Sequence, residues 1–154
     1  LLPTFEFIIG GKTGLMSNPT SGGVYINSMW SSQGLKTFIS ENGNQSVLPI
    51  STIASKCVWG VKNYLVCAVP KILPRSVEGL PDDWFQGRFT FEDRFFVIDP
   101  TTKESHVLYD FNTPDSLLFD VSSLSLSEDN NLIAFNRKQD ASLWLLDSNY
   151  LGGE

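Results

Sequence analysis

The segments SKCVWGVKNYLVCAVPK (Ser55–Lys71) and SSLSLSEDNNLIAFNRK (Ser122–Lys138) align without a gap. Cys57 falls on Leu124, Trp59 on Leu126, Leu65 on Leu132, Cys67 on Ala134 and Lys71 on Lys138. Each segment reads as strand, polar turn, strand: short runs of β-branched, aromatic and aliphatic residues are interrupted by turn formers. A second pair of matching hairpins lies upstream. LKTFISENGNQSVLPI, from Leu35, is paralleled by RFFVIDPTTKESHVLYD, from Arg94, with Ser40 near Asp99 and Val47-Leu48 on Val107-Leu108. The chain therefore reads as two units, each of four short antiparallel strands in the same order.

Outward from this repeat the pattern persists. TFEFII, GVYINSM, LKTFIS, SVLPIS, KCVWG, YLVCAVP, RFFVID, SHVLYD, LSLS, NLIAFN and SLWLLD are all strand-like and separated by Gly, Pro, Asn or Asp. No ten-residue window carries the i, i+3, i+4, i+7 spacing of an amphipathic helix. An all-β, antiparallel fold follows. The expected division is residues 1–34 as the tail of a preceding unit, 35–70 as one unit and 71–93 as an inserted loop. Residues 94–138 form the second unit, and 139–154 open a third through SLWLLD.

Four-strand units repeated at this scale are the signature of propeller blades. The turns LSEDNNLIAF and WGVKNYLVC resemble the W-S-P-D-G-x-x-I-a-F hairpin of TolB-like (WD40-like) β-propellers. Ser127, Asp129 and Asn130 occupy the Ser, Asp and Gly places, Glu128 stands where the motif has Pro, and Asn63 fits in the first unit. The likeness covers roughly Leu35 to Asp147. It implies a partial β-propeller of about two blades plus flanking strands. Hosts of that fold include scaffolds, glycan and peptide binders, and gating domains of peptidases, so the fold does not fix the function. Propellers close with about four to eight blades. Open blade faces and strand edges invite association, so a protein partner or a remaining propeller segment is expected to cover them.

Composition narrows the partners. The 154 residues are 42% hydrophobic, enough for a folded core, and carry a net charge of −6. An acidic surface repels phosphate backbones, which argues against nucleic acid. No apolar run has the length of a membrane span. The chain starts Leu1-Leu2 rather than with Met, so a preceding segment is expected. The stretch FEFIIGGKTG (Phe5–Gly14) looks like a strand entering a phosphate-binding loop. However, Glu6 stands where the P-loop needs its first glycine, and GLMSNPTSGG after Thr13 is turn chemistry rather than a helix start.

Residues 71–93, KILPRSVEGLPDDWFQGRFTFED, have no counterpart after Lys138. Long loops on rigid β scaffolds often carry binding function. Asp82, Asp83, Trp84 and Phe85 are the candidate binding residues, since an aromatic beside carboxylates suits a sugar, a cationic peptide or a metal. The competing reading has Trp84 and Phe85 folded back as a plug over a blade edge. LPDDWFQG is also similar to segments of bacterial envelope propellers, which implies a family habit and no known activity; the expected location is extracytoplasmic, in the cell envelope.

The two cysteines lie on paired strands. If Trp59 faces Leu65, Cys57 faces Cys67, and a cross-strand disulfide can form there. It would add roughly 2–3 kcal/mol and suit an oxidising compartment. Alternatively the pair is a reduced core contact like its counterpart Leu124 and Ala134. Catalytic signals are missing. His106, the single histidine, sits on a strand with no G-x-S-x-G elbow in the chain. Asp82, Asp83, Glu92 and Asp93 form the densest acidic cluster and read as a solvated loop. Asp110, Asn112, Asp115 and Asp120 are loosely spaced and make no EF-hand, since the required Gly and terminal Glu are missing. Asn44-Gln45-Ser46 is a formal glycosylation sequon in an expected turn.

The expected protein is thus a non-catalytic propeller module that binds a protein, peptide or glycan. No cofactor, metal or catalytic residue is assigned. The alternative is the accessory propeller of a peptidase-type enzyme whose catalytic domain lies outside this chain.

Overall fold

A computed structural model describes residues 10, 14–19, 23–60, 63–74, 79–111 and 117–147. Within them the protein is all-β apart from one short helix, and its strands form three antiparallel meanders rather than a closed barrel. The first sheet runs β1 (Met16–Pro19), β2 (Val24–Ser31), β3 (Gly34–Glu41), β4 (Asn44–Val47). The second runs β5 (Cys57–Trp59), β6 (Leu65–Pro70), β7 (Asp93–Ile98), β8 (Ser105–Tyr109). The third has β9 (Val121–Leu126), β10 (Leu132–Arg137) and β11 (Leu143–Asp147), with β10 in the middle. Successive meanders stacked face to face are the arrangement of blades in an unclosed propeller.

Side-chain alternation explains the stacking. β2 and β3 pair Ile26 with Ile39 and Trp30 with Leu35, and Ile26 and Ile39 join the core against the second sheet. β6 is buried at every position because it has a sheet on either side. Leu65, Cys67 and Val69 face the first sheet, while Val66 and Ala68 face the third. That double burial is why LVCAVP is a continuous apolar run rather than an alternating one. Between the second and third sheets, Phe95, Phe111, Phe119 and Phe135 make one aromatic cluster. Burying each such ring is worth roughly 2–3 kcal/mol.

The hairpins are fixed by left-handed residues. Asn42 and Gly43 have φ of 49° and 78°, the two-residue turn whose twist matches the flanking strands. Asn63 (φ 62°) and Asn130 (φ 58°) occupy equivalent turns. Asparagine tolerates this region better than most residues, so each does the work of a glycine. In the second of these turns Ser127 Oγ donates to Asp129 Oδ1 at 2.6 Å, and the Leu132 amide donates back to Ser127 Oγ at 2.9 Å.

The structure corrects several expectations. The four-strand frame is shifted by one hairpin: residues 35–70 are split between the first and second sheets, and 94–138 between the second and third. Val24–Ser31 belongs with β3 and is no tail of an earlier blade, and β11 belongs to the third sheet beside β10 rather than opening another. The insert, described at residues 71–74 and 79–92, lies between the two central strands of the second sheet. A gapless repeat shows which hairpins correspond but not which two share a sheet. Met16–Pro19 is an edge strand paired with β2, although MSNP has turn composition. Proline is tolerated there because an edge strand has one side free of ladder bonds. Thr4–Ile9 and Gly11–Thr13 lie outside the described residues.

The expected Leu124–Ala134 pair is also overturned. Leu124 faces Phe135, and Ala134 faces Ser125. Trp59 pairs with Leu65, whereas Leu126 pairs with Ile133, so the second turn holds one more residue. A one-residue slip turns every side chain to the opposite face. Hence Leu132 and Ala134 are only half-buried, whereas their counterparts Leu65 and Cys67 are fully buried.

Candidate functional site

The insert folds against one end of the stack. Its short helix α1 (Asp82–Phe85) begins after Gly79, whose φ is +83°. A Cβ at Gly79 would lie 2.1 Å from Asp83 Oδ2, so only glycine fits. Asp83 is paired with Arg88 at 2.7 Å, and Asp82 is exposed. The two aromatics part company. Trp84 is 2% exposed and Phe85 57% exposed. The plug reading therefore holds for Trp84 alone, and the four candidate residues do not form a common binding face. Trp84 packs with Leu80 and Phe91 of the insert and with Trp30, Leu35 and Ile53 of the first sheet and its exit.

The chemistry lies beneath Trp84. Lys56 ends a single 3-10 turn (Ala54–Lys56) leading into β5. Its Nζ is 2.6 Å from Asp93 Oδ2 and 2.7 Å from Asp120 Oδ1, and all three side chains are fully buried. Trp84 Nε1 donates to both Asp120 oxygens, at 3.0 and 2.9 Å. The Phe91 amide donates to Asp120 Oδ2 at 2.9 Å. Asp93 Oδ2 also accepts the Val121 amide at 2.7 Å, while Asp93 Oδ1 is buried with no hydrogen-bond partner. The Nζ stands 5.1 Å from the Trp84 ring centroid and 4.7 Å from that of Phe91. Burial pushes the Asp93 carboxyl above its ordinary value, against the pull of the Lys56 ammonium and its hydrogen bond.

This cluster overturns the solvated reading of Asp93 and the loose-loop reading of Asp120. Asp93 opens β7, Asp120 immediately precedes β9, and Lys56 precedes β5, so one ion cluster ties the second sheet, the third sheet and the insert. Lys56 carried a faint signal in the sequence as a lone charge in STIASKCVW. Asn112 and Asp115 lie outside the described residues, and Asp110 pairs with Lys71 at 2.6 Å. Among the described residues no group of His, Cys, Asp and Glu has the arrangement of a metal site.

Cys57 and Cys67 face each other across β5–β6 and are disulfide-bonded, with Cα atoms 4.1 Å apart. That is the closely spaced, non-hydrogen-bonded type of cross-strand pair. His106 is exposed on β8. The sequon residues Asn44–Ser46 are exposed on edge strand β4 rather than in a turn, and Ser46 Oγ accepts from Lys103. At the end of the stack opposite the insert, a cleft of about 490 Å³ lies between the first two sheets, lined by Glu41, Trp59, Asn63, Pro100 and Thr101 among others.

The outer face of the third sheet is open among the described residues. Leu143 and Leu145 of β11 are 72% and 63% exposed. Register places Ala134 beside Leu145, and Asn136 beside Leu143. Ser123 and Ser125 continue the same face on β9. Among the described residues, β11 pairs with β10 alone. Among the described residues no helix is long and apolar enough to cross a membrane. Compared with known proteins, the chain matches no family model and no curated sequence.

Proposed function

We propose that this protein is a non-catalytic binding or scaffold module of the TolB-like propeller type, working outside the cytoplasm in the cell envelope. Its outer third sheet takes up a protein segment. The observation that carries the reading is the pair of solvent-facing leucines on β11, a strand whose one paired neighbour among the described residues is β10. The first two sheets have four strands each and the third has three among the described residues. An extended segment added beside β11 completes the pattern, with main-chain hydrogen bonds giving affinity. The exposed leucines of β11 suit a protein or peptide better than a glycan, because an aliphatic side chain offers a sugar neither a hydrogen bond nor an aromatic stacking surface. The buried Trp84 is no platform for sugar stacking either.

Light scattering on the purified chain under non-reducing conditions tests this, with a second copy as the available occupant. The expected particle is larger than one chain and returns to one chain in Leu145→Lys. A wild type that stays monomeric at every concentration removes this face as a docking surface. Hydrolase activity that persists in the chain and is lost in Asp82→Asn or Asp83→Asn overturns the non-catalytic reading.

A further inference from the structure

We propose that Lys56 and Asp93 become joined by an intramolecular amide bond between Lys56 Nζ and Asp93 Cγ, with Asp120 carrying the proton. Three features of the site support this. The amine and the carboxyl are already in contact, at 2.6 Å, on rigid elements. Holding the reactants in this way replaces a bimolecular encounter with an effectively unimolecular step. A second carboxylate lies 2.7 Å from the same Nζ and is itself held by Trp84 and the Phe91 amide. Water is shut out, since all three side chains are fully buried under the Trp84 and Phe91 rings.

The bookkeeping closes without an external reagent. Burial raises the Asp93 carboxyl above its ordinary value, and the reacting set is Lys56 ammonium, Asp93 in its acid form with the proton on Oδ1, and Asp120 carboxylate. The Nζ gives one proton to Asp120 and attacks Asp93 Cγ with the lone pair so freed. The C=O electron pair moves onto Oδ2, where the Val121 amide stabilises the developing charge. As Cγ becomes tetrahedral, Oδ1 swings out of the carboxyl plane and takes the proton from Asp120, the C–Oδ1 bond breaks, and Oδ1 leaves as water. The nitrogen gives its surplus proton back to Asp120, which ends neutral. The products are an amide, one water and a protonated Asp120, with net charge zero throughout. The departing oxygen is Oδ1, the buried atom for which the fold provides no partner. A buried polar atom left unpaired is costly, and the reaction removes it.

Intact-mass measurement on the reduced, soluble chain with a native near-ultraviolet spectrum tests this. The expected mass is one water below the sequence mass. Trypsin should release Thr37–Lys62 joined to Phe89–Arg94. Asp93→Asn should be lighter by one ammonia instead, and Asp120→Asn should keep its full mass. A folded wild type at its full sequence mass overturns the proposal. So does a cross-link that joins Thr37–Lys62 to Glu104–Arg137, which would make Asp120 the acyl partner.

Discussion

Reducing the Cys57–Cys67 bond should lower stability by an amount set mainly by chain entropy. The two cysteines are ten residues apart. Closing so short a loop removes about 3 kcal/mol of freedom from the unfolded chain at 25 °C. The native state adds a second cost. Cys57 is 1% and Cys67 0% exposed, inside the core shared by the first two sheets. Two free thiols need more room than a bonded pair, and such overpacking costs about 1–2 kcal/mol. Together these give about 4–5 kcal/mol, or a fall in Tm on the order of 8–20 °C for a chain of this size. Circular dichroism melts with and without reductant measure it, with alkylation and mass confirming that the thiols are free. Cys57→Ala/Cys67→Ala serves as the control and should not respond to reductant. A fully reduced wild type melting within about 2 °C of the oxidised form would refute the reasoning.

Other predictions follow from the same packing. Trp84→Phe removes the indole donor shared by both Asp120 oxygens and should cost about 1–3 kcal/mol in urea unfolding, whereas Phe85→Ser should stay within about 0.5 kcal/mol. Asp99, Asp129 and Asp140 are turn carboxylates, each held below the ordinary value. Backbone amides of Thr101 and Thr102 lower Asp99, chiefly the Ser127 hydroxyl lowers Asp129, and the Ser142 hydroxyl and amide lower Asp140. Their stabilisation is present above pH 3.8 and is lost as pH falls through the depressed folded values. Amide exchange at these three turns should therefore accelerate below that pH, and unchanged protection would contradict the assignment. Ala141 sits at φ 57°, so Ala141→Gly should raise stability by about 0.5–1 kcal/mol, measured by urea midpoint.

The legible part of the fold was local. Alternation and turn residues located the hairpins, and counting from Trp59 and Leu65 placed Cys57 opposite Cys67, because strand pairing near a turn is arithmetic. The same arithmetic failed at Leu124 and Ala134, where one more residue in the turn left no mark in an ungapped alignment. MSNP was hidden because an edge strand needs little β propensity when β2 supplies its ladder. The sheet frame was hidden because hairpin sequences record pairing within a hairpin and not between hairpins. The ion cluster was out of reach for a different reason. Lys56, Asp93 and Asp120 are far apart in sequence, and each alone resembles a surface charge. Only the third dimension shows that they meet beneath Trp84.

The position of the insert bears on how the protein unfolds. In an ordinary stack of repeats each unit touches only its neighbours, and units can open one at a time. Here the central hairpin of the second sheet is replaced by a long excursion that rests on Trp30 and Leu35 of the first sheet and on Asp120 at the edge of the third. Releasing any one sheet strips the excursion of part of its support and lays bare a buried charge. Local opening is thereby made nearly as costly as complete unfolding. The three sheets should behave as a single cooperative unit, with β6 and β7 exchanging their amides only when the whole chain opens.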